Sequence, residues 1–145
     1  MQRQRILFLC THNSARSQMA EGLLQTAASD RFEVHSAGTV ATSVRPEAVR
    51  VMAELGIDIA THESKTVDRF LNQPFDWVMM VCDDAAEACP VFPGPGHRLH
   101  WPLPDPGAVK GDEAQRLAAF REVRDRLQRL ITDFVAQYDR GAFTL

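Results

Sequence analysis

Apolar and polar positions fall in alternating blocks along the chain, and the blocks predict strands and helices in turn. Ile6-Leu7-Phe8-Leu9 is a continuous apolar run, and a buried parallel strand is predicted over Arg5 to Leu9. Thr11 to Ser17 carries no bulky apolar side chain and reads as a loop. From about Ser17 the spacing of Met19, Ala20, Leu23, Leu24 and Ala27 is that of one helical face. Phe32 to His35 reads as a second strand closed by Ala37-Gly38. Pro46 suits the first turn of a helix whose face is Val49, Val51, Met52 and Leu55, and Gly56 is placed to stop it. Phe75 to Val81 is a third buried strand with Cys82 at its end, followed by one or two helical turns over Asp83 to Ala88 before Pro90. Val91 to Gly96 reads as loop, Arg98 to Trp101 as a short fourth strand, and Pro102 to Gly111 as loop. A long amphipathic helix is predicted from Asp112 to about Tyr138, with Leu117, Phe120, Val123, Leu127, Leu130, Ile131 and Phe134 on one side and its charges in solvent. Such alternation implies an α/β fold with a parallel sheet covered on both faces.

The 145 residues suit one domain over 1–145, and 45 % hydrophobic with 24 % charged residues is ordinary for a globular chain. A net charge of -3 argues against nucleic acid or an anionic membrane as partner, so any anionic ligand must be held by a local field. No apolar run approaches the ~18 residues of a membrane span. The basic start Met1 to Arg5 is followed by too short an apolar stretch for a signal-peptide core of about 7–15 residues, so a cytoplasmic protein is expected. Three cysteines do not suggest a disulfide framework, yet Cys82 and Cys89 stand close enough in sequence to invite a redox reading.

The chemistry gathers at Cys10-Thr11-His12-Asn13-Ser14-Ala15-Arg16-Ser17. A cysteine ends the first strand, five residues follow, and Arg16 and Ser17 open the helix. Backbone N–H groups of such a loop and the helix dipole make an anion cradle. Arg16 adds a planar fork of donors for two oxygens of a tetrahedral anion. The same field favours a thiolate at Cys10, the nucleophilic form. Ser17 is placed to donate a hydrogen bond to it, and Asn13 to brace the loop. The competing reading of Cys10 is a small buried hydrophobe at a strand end. His12 either touches the anion or faces solvent, and the other histidines carry no partner pattern. For the cysteine pair the competing readings are two unrelated thiols and a metal site. Six intervening residues and no companion ligand cluster speak against metal.

The segment Phe8 to Gly22 resembles the signature of the low-molecular-weight tyrosine phosphatase superfamily, and most closely its thioredoxin-coupled arsenate reductases. Ser36-Ala37-Gly38-Thr39, Gly56-Ile57-Asp58-Ile59, and Trp101 with Asp105-Pro106 agree, so the resemblance runs from about Ile6 to Phe134. It implies a single domain with a four-stranded parallel sheet flanked by helices on both faces. It implies that Thr11 to Arg16 bind the oxyanion and that Asp105 is the general acid. It further implies that Cys10 attacks arsenate, that Cys82 then attacks Cys10 and Cys89 attacks Cys82, and that external thioredoxin restores the thiols. No tightly bound cofactor and no metal are expected, and a monomer is. A continuous helix across 82–89 would hold the two Cα atoms about 10 Å apart, whereas a disulfide needs roughly 4.4–6.8 Å. Oxidation should therefore unwind that stretch.

Two departures matter. Some relatives hold a potassium ion with residues matching Asn13 and Glu21 and an acidic residue where Lys65 stands here. The ammonium of Lys65 is expected to take the ion's place beside Glu21, against the alternative of a solvated lysine. Phosphatases of the superfamily carry aromatic residues after the Asp-Pro pair, whereas Gly107-Ala108 follow here and the only tyrosine is Tyr138. A phosphatase acting through a Cys10 phospho-enzyme is the alternative function, and an oxyanion sensor that binds without turnover is the non-enzymatic one.

Overall fold

The computed structural model describes residues 3–83 and 89–143. Four parallel strands form one sheet in the order β2-β1-β3-β4: β1 Gln4–Cys10, β2 Phe32–Gly38, β3 Trp77–Met80 and β4 His97–His100. Burial explains the centre of the sheet. Ile6, Leu7, Phe8 and Leu9 of β1 are all fully buried, each worth about 1.5–3 kcal/mol when removed from water. Strand β2 runs three residues beyond the expected His35, because its ladder with β1 continues through Leu9↔Ala37 and Cys10↔Gly38. Strand β4 starts at His97 and leaves Trp101 just outside it.

Three α-helices follow the predicted blocks: α1 Arg16–Ala28, α2 Pro46–Ala53 and α3 Glu113–Asp139. Asp112 caps α3 with a capping box, accepting from the Gln115 backbone N–H while the Gln115 side chain accepts from the Asp112 N–H. Three details differ from the pattern reading. Helix α1 buries every residue from Arg16 to Leu24, polar ones included, while Ala27 is exposed and Ala28, one turn beyond Leu24, is buried. Leu55 is exposed because α2 ends at Ala53; the turn through Gly56 (φ +75°) delivers Ile57 to the core instead. Arg124 of α3 is buried rather than solvated, donating to the Val51 carbonyl (2.8 Å) and to Glu54 (2.6 Å). The helical turns expected after Asp83 fall on residues 84–88, outside the described residues.

Side chains of β1 alternate between two cores. Ile6, Phe8 and Cys10 meet α1, α2 and α3, while Leu7 and Leu9 meet Phe70, Phe75 and Phe92. The sheet is thus covered on both faces, unequally among the described residues: three α-helices on one, the 3-10 turn Val67–Phe70 with its flanking loops on the other. The chain leaves β1 for β2 on one side and later crosses to β3 on the other. The carboxyl end of β1 is therefore the topological switch point, where open α/β sheets bind ligands. Among the described residues no helix is long and apolar enough to cross a membrane.

Candidate active site

Cys10 ends β1 at that switch point and is 2 % exposed. The loop to Arg16 is held from outside. Val40 N–H donates to the Thr11 carbonyl (3.1 Å), the Ser64 hydroxyl to the His12 carbonyl (3.1 Å) and Arg45 N–H to the Ser14 carbonyl (2.9 Å). In a trans peptide N–H and C=O point oppositely, so the amides of His12, Asn13 and Ala15 turn away from those donors. Asn13 takes a left-handed φ of +49°, a conformation asparagine tolerates better than most residues. Beneath the loop a side chain at Gly38 would place Cβ 2.7 Å from the Thr11 carbonyl oxygen and 2.8 Å from the Asn13 nitrogen, so only glycine fits.

The Asn13 side chain is fully buried and joins four groups. Its amide donates to Ser17 Oγ (2.8 Å) and Ser36 Oγ (3.0 Å), and its oxygen accepts from Gln18 Nε2 (2.8 Å) and the Lys65 backbone N–H (2.8 Å). Ser17 Oγ lies 2.8 Å from Cys10 Sγ. Since Asn13 can only donate to Ser17, the hydroxyl hydrogen remains for a Cys10 thiolate. On the other side Ser36 donates a short hydrogen bond to Glu21. The Glu21 carboxylate lies 3.7 Å from Lys65 Nζ and 3.5 Å from His62 Nδ1. Lys65 Nζ also donates to the Glu63 carbonyl (2.9 Å), and its side chain is only 11 % exposed, so it is not a solvated surface lysine. A chain of contacts thus runs Lys65–Glu21–Ser36–Asn13–Ser17–Cys10.

Arg16 is buried and donates from Nη1 to the Leu103 carbonyl (3.1 Å), tying the cradle to the loop that carries Asp105. Asp105 is half-buried and caps the 3-10 turn Pro106–Ala108, accepting from Gly107 N–H (2.9 Å). With exposed His12, Thr42 and Ser43 and half-buried Ser14, Arg45 and Gly107 it lines a cavity of about 380 Å³. A larger depression of about 570 Å³ lies at the amino ends of the strands, around Arg5, Pro74 and Gly96, and is lined by no cysteine, serine or threonine.

Cys82 is fully buried at the carboxyl end of β3 and is bonded to half-buried Cys89, their Cα atoms 6.0 Å apart. The register Leu9↔Met80, continued by Val81 N–H to the Leu9 carbonyl (2.8 Å), puts Cys10 and Cys82 at the same edge of neighbouring strands. Both pack in one hydrophobic cluster, with Cys89 against it.

The pattern common to the low molecular weight phosphotyrosine protein phosphatases matches residues 5–142. The chain belongs to this family. Within it, an arsenate reductase of Halalkalibacterium halodurans is 43 % identical over 134 residues, covering 92 % of this chain and 96 % of that one. Among solved structures, an arsenate reductase in its oxidised state is 29 % identical with a TM-score of 0.78, over 92 % of this chain and 98 % of the other. A thioredoxin-dependent arsenate reductase of Corynebacterium glutamicum is 27 % identical with a TM-score of 0.63, over 93 % of this chain and 63 % of that one.

For this member of the family, the fold brings Cys10, Asn13, Arg16, Ser17, Glu21 and Lys65 together. Ala15, at 4 % exposure, is a core residue at the start of α1 whose carbonyl accepts from Met19. Thr11 is half-buried and its carbonyl serves as an anchor. Four residues that sequence reasoning passed over belong to the site. Gln18, Ser36 and His62 complete the network around Asn13 and Glu21. Arg45 puts a guanidinium at the cavity, paired with Glu47 at 3.1 Å. Burial pushes the Glu47 carboxyl up, but a hydrogen bond from its own backbone and the Arg45 contact outweigh this and hold it below the usual range. The signal for Arg45 was local: a cation directly ahead of a helix N-terminus opposes the helix dipole and needs another reason to be there.

Proposed function

We propose that this chain reduces arsenate to arsenite through Cys10, Cys82 and Cys89, with external thioredoxin as the reductant and no tightly bound cofactor. The Cys10 thiolate attacks pentavalent arsenic in the cradle of Thr11 to Arg16. Arg16 holds two oxygens, and Asp105 protonates the departing oxygen as water. The Cys82 thiolate then attacks Cys10 Sγ. The sulfur–arsenic bond breaks, its electron pair stays on arsenic, and trivalent arsenite leaves with Cys10 bonded to Cys82. The Cys89 thiolate attacks Cys82 and releases Cys10 as thiolate. The Cys82–Cys89 disulfide takes two electrons and two protons from a thioredoxin dithiol. Ser17 supports the Cys10 thiolate, and Asn13, Glu21 and Lys65 hold Ser17, with the Lys65 ammonium in place of a metal cation. The reducing cytoplasm is the compartment this cycle needs, and one chain carries every residue it uses.

The observation that carries this reading is the bonded Cys82–Cys89 pair beside the strand of Cys10. A phosphatase would use Cys10, Arg16 and Asp105 and leave the pair without a task. The test is arsenate turnover coupled to thioredoxin, thioredoxin reductase and NADPH, run beside Cys89→Ala. Multiple turnovers that vanish in the variant support the relay. Hydrolysis of an aryl phosphate without arsenate turnover overturns it in favour of the phosphatase.

A further inference from the structure

One wall of the active-site cavity carries a cation for which the three-cysteine cycle has no task. Arg45 stands directly before α2, and its backbone N–H is held by the Ser14 carbonyl of the cradle loop at 2.9 Å. Its guanidinium lines the cavity together with His12, Ser14 and Asp105. A Cβ built on Gly107 would lie 3.2 Å from Asp105 Oδ1 and 3.4 Å from Arg45 Nη1, so the two atoms border the same small space. Nη2 donates to Glu47 at 3.1 Å, which fixes the side chain. Nη1 carries no hydrogen bond among the described residues. We propose that Arg45 is a specificity-determining residue, whose Nη1 donates to the fourth oxygen of a tetrahedral anion in the cradle and so selects free oxyanions over their aryl esters. The assignment rests on the oxyanion cradle of the proposed function and not on the cysteine relay.

The chemistry of the fourth oxygen carries the choice. The loop amides and Arg16 take three oxygens of the anion, and the departing oxygen stands in line with Cys10 Sγ, toward Asp105, to receive its proton. Nη1 borders the space beside Asp105 Oδ1, so this oxygen is the one within its reach. In arsenate or phosphate it is an oxide or a hydroxyl, an acceptor that makes a charge-assisted hydrogen bond with a guanidinium. In an ester the same oxygen is bridging and carries little charge, and its aryl group must occupy the space that Arg45 and Asp105 border.

Charge points the same way. Arg45 and Arg116 share the one Glu47 carboxylate, at 3.1 and 3.6 Å, so one positive charge of the three groups is left over. Arg45 also sits at the N-cap of α2 with no side-chain cap hydrogen bond, where a cation opposes the helix dipole. An anion in the cavity relieves both.

The test compares two ligands of the reduced protein by calorimetry, inorganic phosphate and phenylphosphonate. Both are predominantly dianions at pH 8 and offer the cradle the same three oxygens, and they differ at the fourth position. Arg45→Met keeps much of the apolar stem and removes the donors. It should weaken phosphate binding about 10-fold and leave phenylphosphonate essentially unchanged, with Arg45→Lys restoring part of the phosphate affinity. A general loss of positive potential or a disturbed fold would weaken both ligands alike. Stacking of the phenyl ring on the guanidinium would make phenylphosphonate the more affected. Either result overturns the assignment, as does unchanged phosphate affinity. Arg16→Met tests the cradle separately: phosphate bound as tightly without Arg16 would refute the cradle itself. Because no arsenate is used, failure of the parent to reduce arsenate would unseat the relay and leave the role of Arg45 standing.

Discussion

Asn13→Ala is the substitution whose cost can be worked most fully from the structure. The asparagine side chain is 0 % exposed and makes four side-chain hydrogen bonds. Truncation leaves the Lys65 N–H without its acceptor, costing about 1–3 kcal/mol for an orphaned donor. Gln18 Nε2 keeps the carbonyls of Asn13 (3.3 Å) and Glu63 (3.0 Å), Ser17 keeps Cys10, and Ser36 keeps Glu21. Those three losses are therefore of bonds rather than of all partners, about 0.5–1.5 kcal/mol each before non-additivity reduces their sum. Alanine at a φ of +49° adds about 1–2 kcal/mol of backbone strain. The expected total is about 4 kcal/mol, a large share of the 5–15 kcal/mol that stabilises a typical domain. Urea unfolding of the reduced protein should show the midpoint falling by about 2 M at an unchanged slope of roughly 2 kcal/mol/M. Asn13→Gly, free of the strain, should be less damaging by about 1 kcal/mol. In both variants Ser17, which lies beside Cys10, loses its anchor. An Asn13→Ala midpoint within the error of the parent would refute the account of Asn13 as the hub of the cradle.

Gly38→Ala drives Cβ against backbone atoms of Thr11 and Asn13 that cannot swing aside. It should cost about 1–3 kcal/mol in thermal unfolding and, through the displaced cradle, about 10²-fold in kcat/KM for arsenate. Turnover of the parent should be indifferent to exchanging sodium for potassium, because Lys65 already sits 3.7 Å from Glu21. Lys65→Asp should make turnover rise with potassium, and a strong potassium requirement in the parent would count against the ammonium's role. The Glu33 carboxyl is lowered from 4.5 to about 2, first by the hydrogen bond from Arg5 and then by that from His35. A lowered carboxylate contributes stability that is complete above its unfolded value and lost as pH falls from about 4.5 toward 2. Glu33 is about a third exposed, so the loss is modest. The fall in Tm between pH 6 and pH 3 should be shallower in Glu33→Gln than in the parent.

What could be read from the chain is what depends on local chemistry. The run Ile6 to Leu9 and the spacing of Leu117 to Phe134 each announce their element within a few residues. So does the step from Cys10 to Arg16, where strand end, loop and helix start fall in one short segment. What could not be read depends on register. Ser36 supports Asn13 only because β2 continues its ladder with β1 to Gly38. His100 meets Cys82 only because β4 pairs with β3 one residue earlier than the pattern suggests. The burial of Arg16, Ser17, Gln18 and Glu21 on all sides of α1 contradicts any single-face reading of that helix. A helix start that serves a site is packed by polar partners, which hydrophobic spacing does not register.

Pairing of buried charges also settles an electrostatic conflict at the site. A chain of net charge -3 is proposed to bind an oxyanion, and it places the Glu21 carboxylate, 7 % exposed, in contact with the network behind the cradle. An uncompensated buried carboxylate would be costly in itself and would repel the ligand. Here the compensation is complete on geometric grounds. Ser36 donates to Glu21, and Lys65 Nζ and His62 approach it from the side away from Cys10 in the chain of contacts. Glu21 and Lys65 together contribute no net charge. The field at the cradle is then set by the loop amides, the start of α1 and Arg16, with Arg45 at the cavity wall. Overall charge is therefore a poor guide to this site, because the charges that matter are few, buried and paired, while most of the acidic surplus lies on surfaces screened by water and salt.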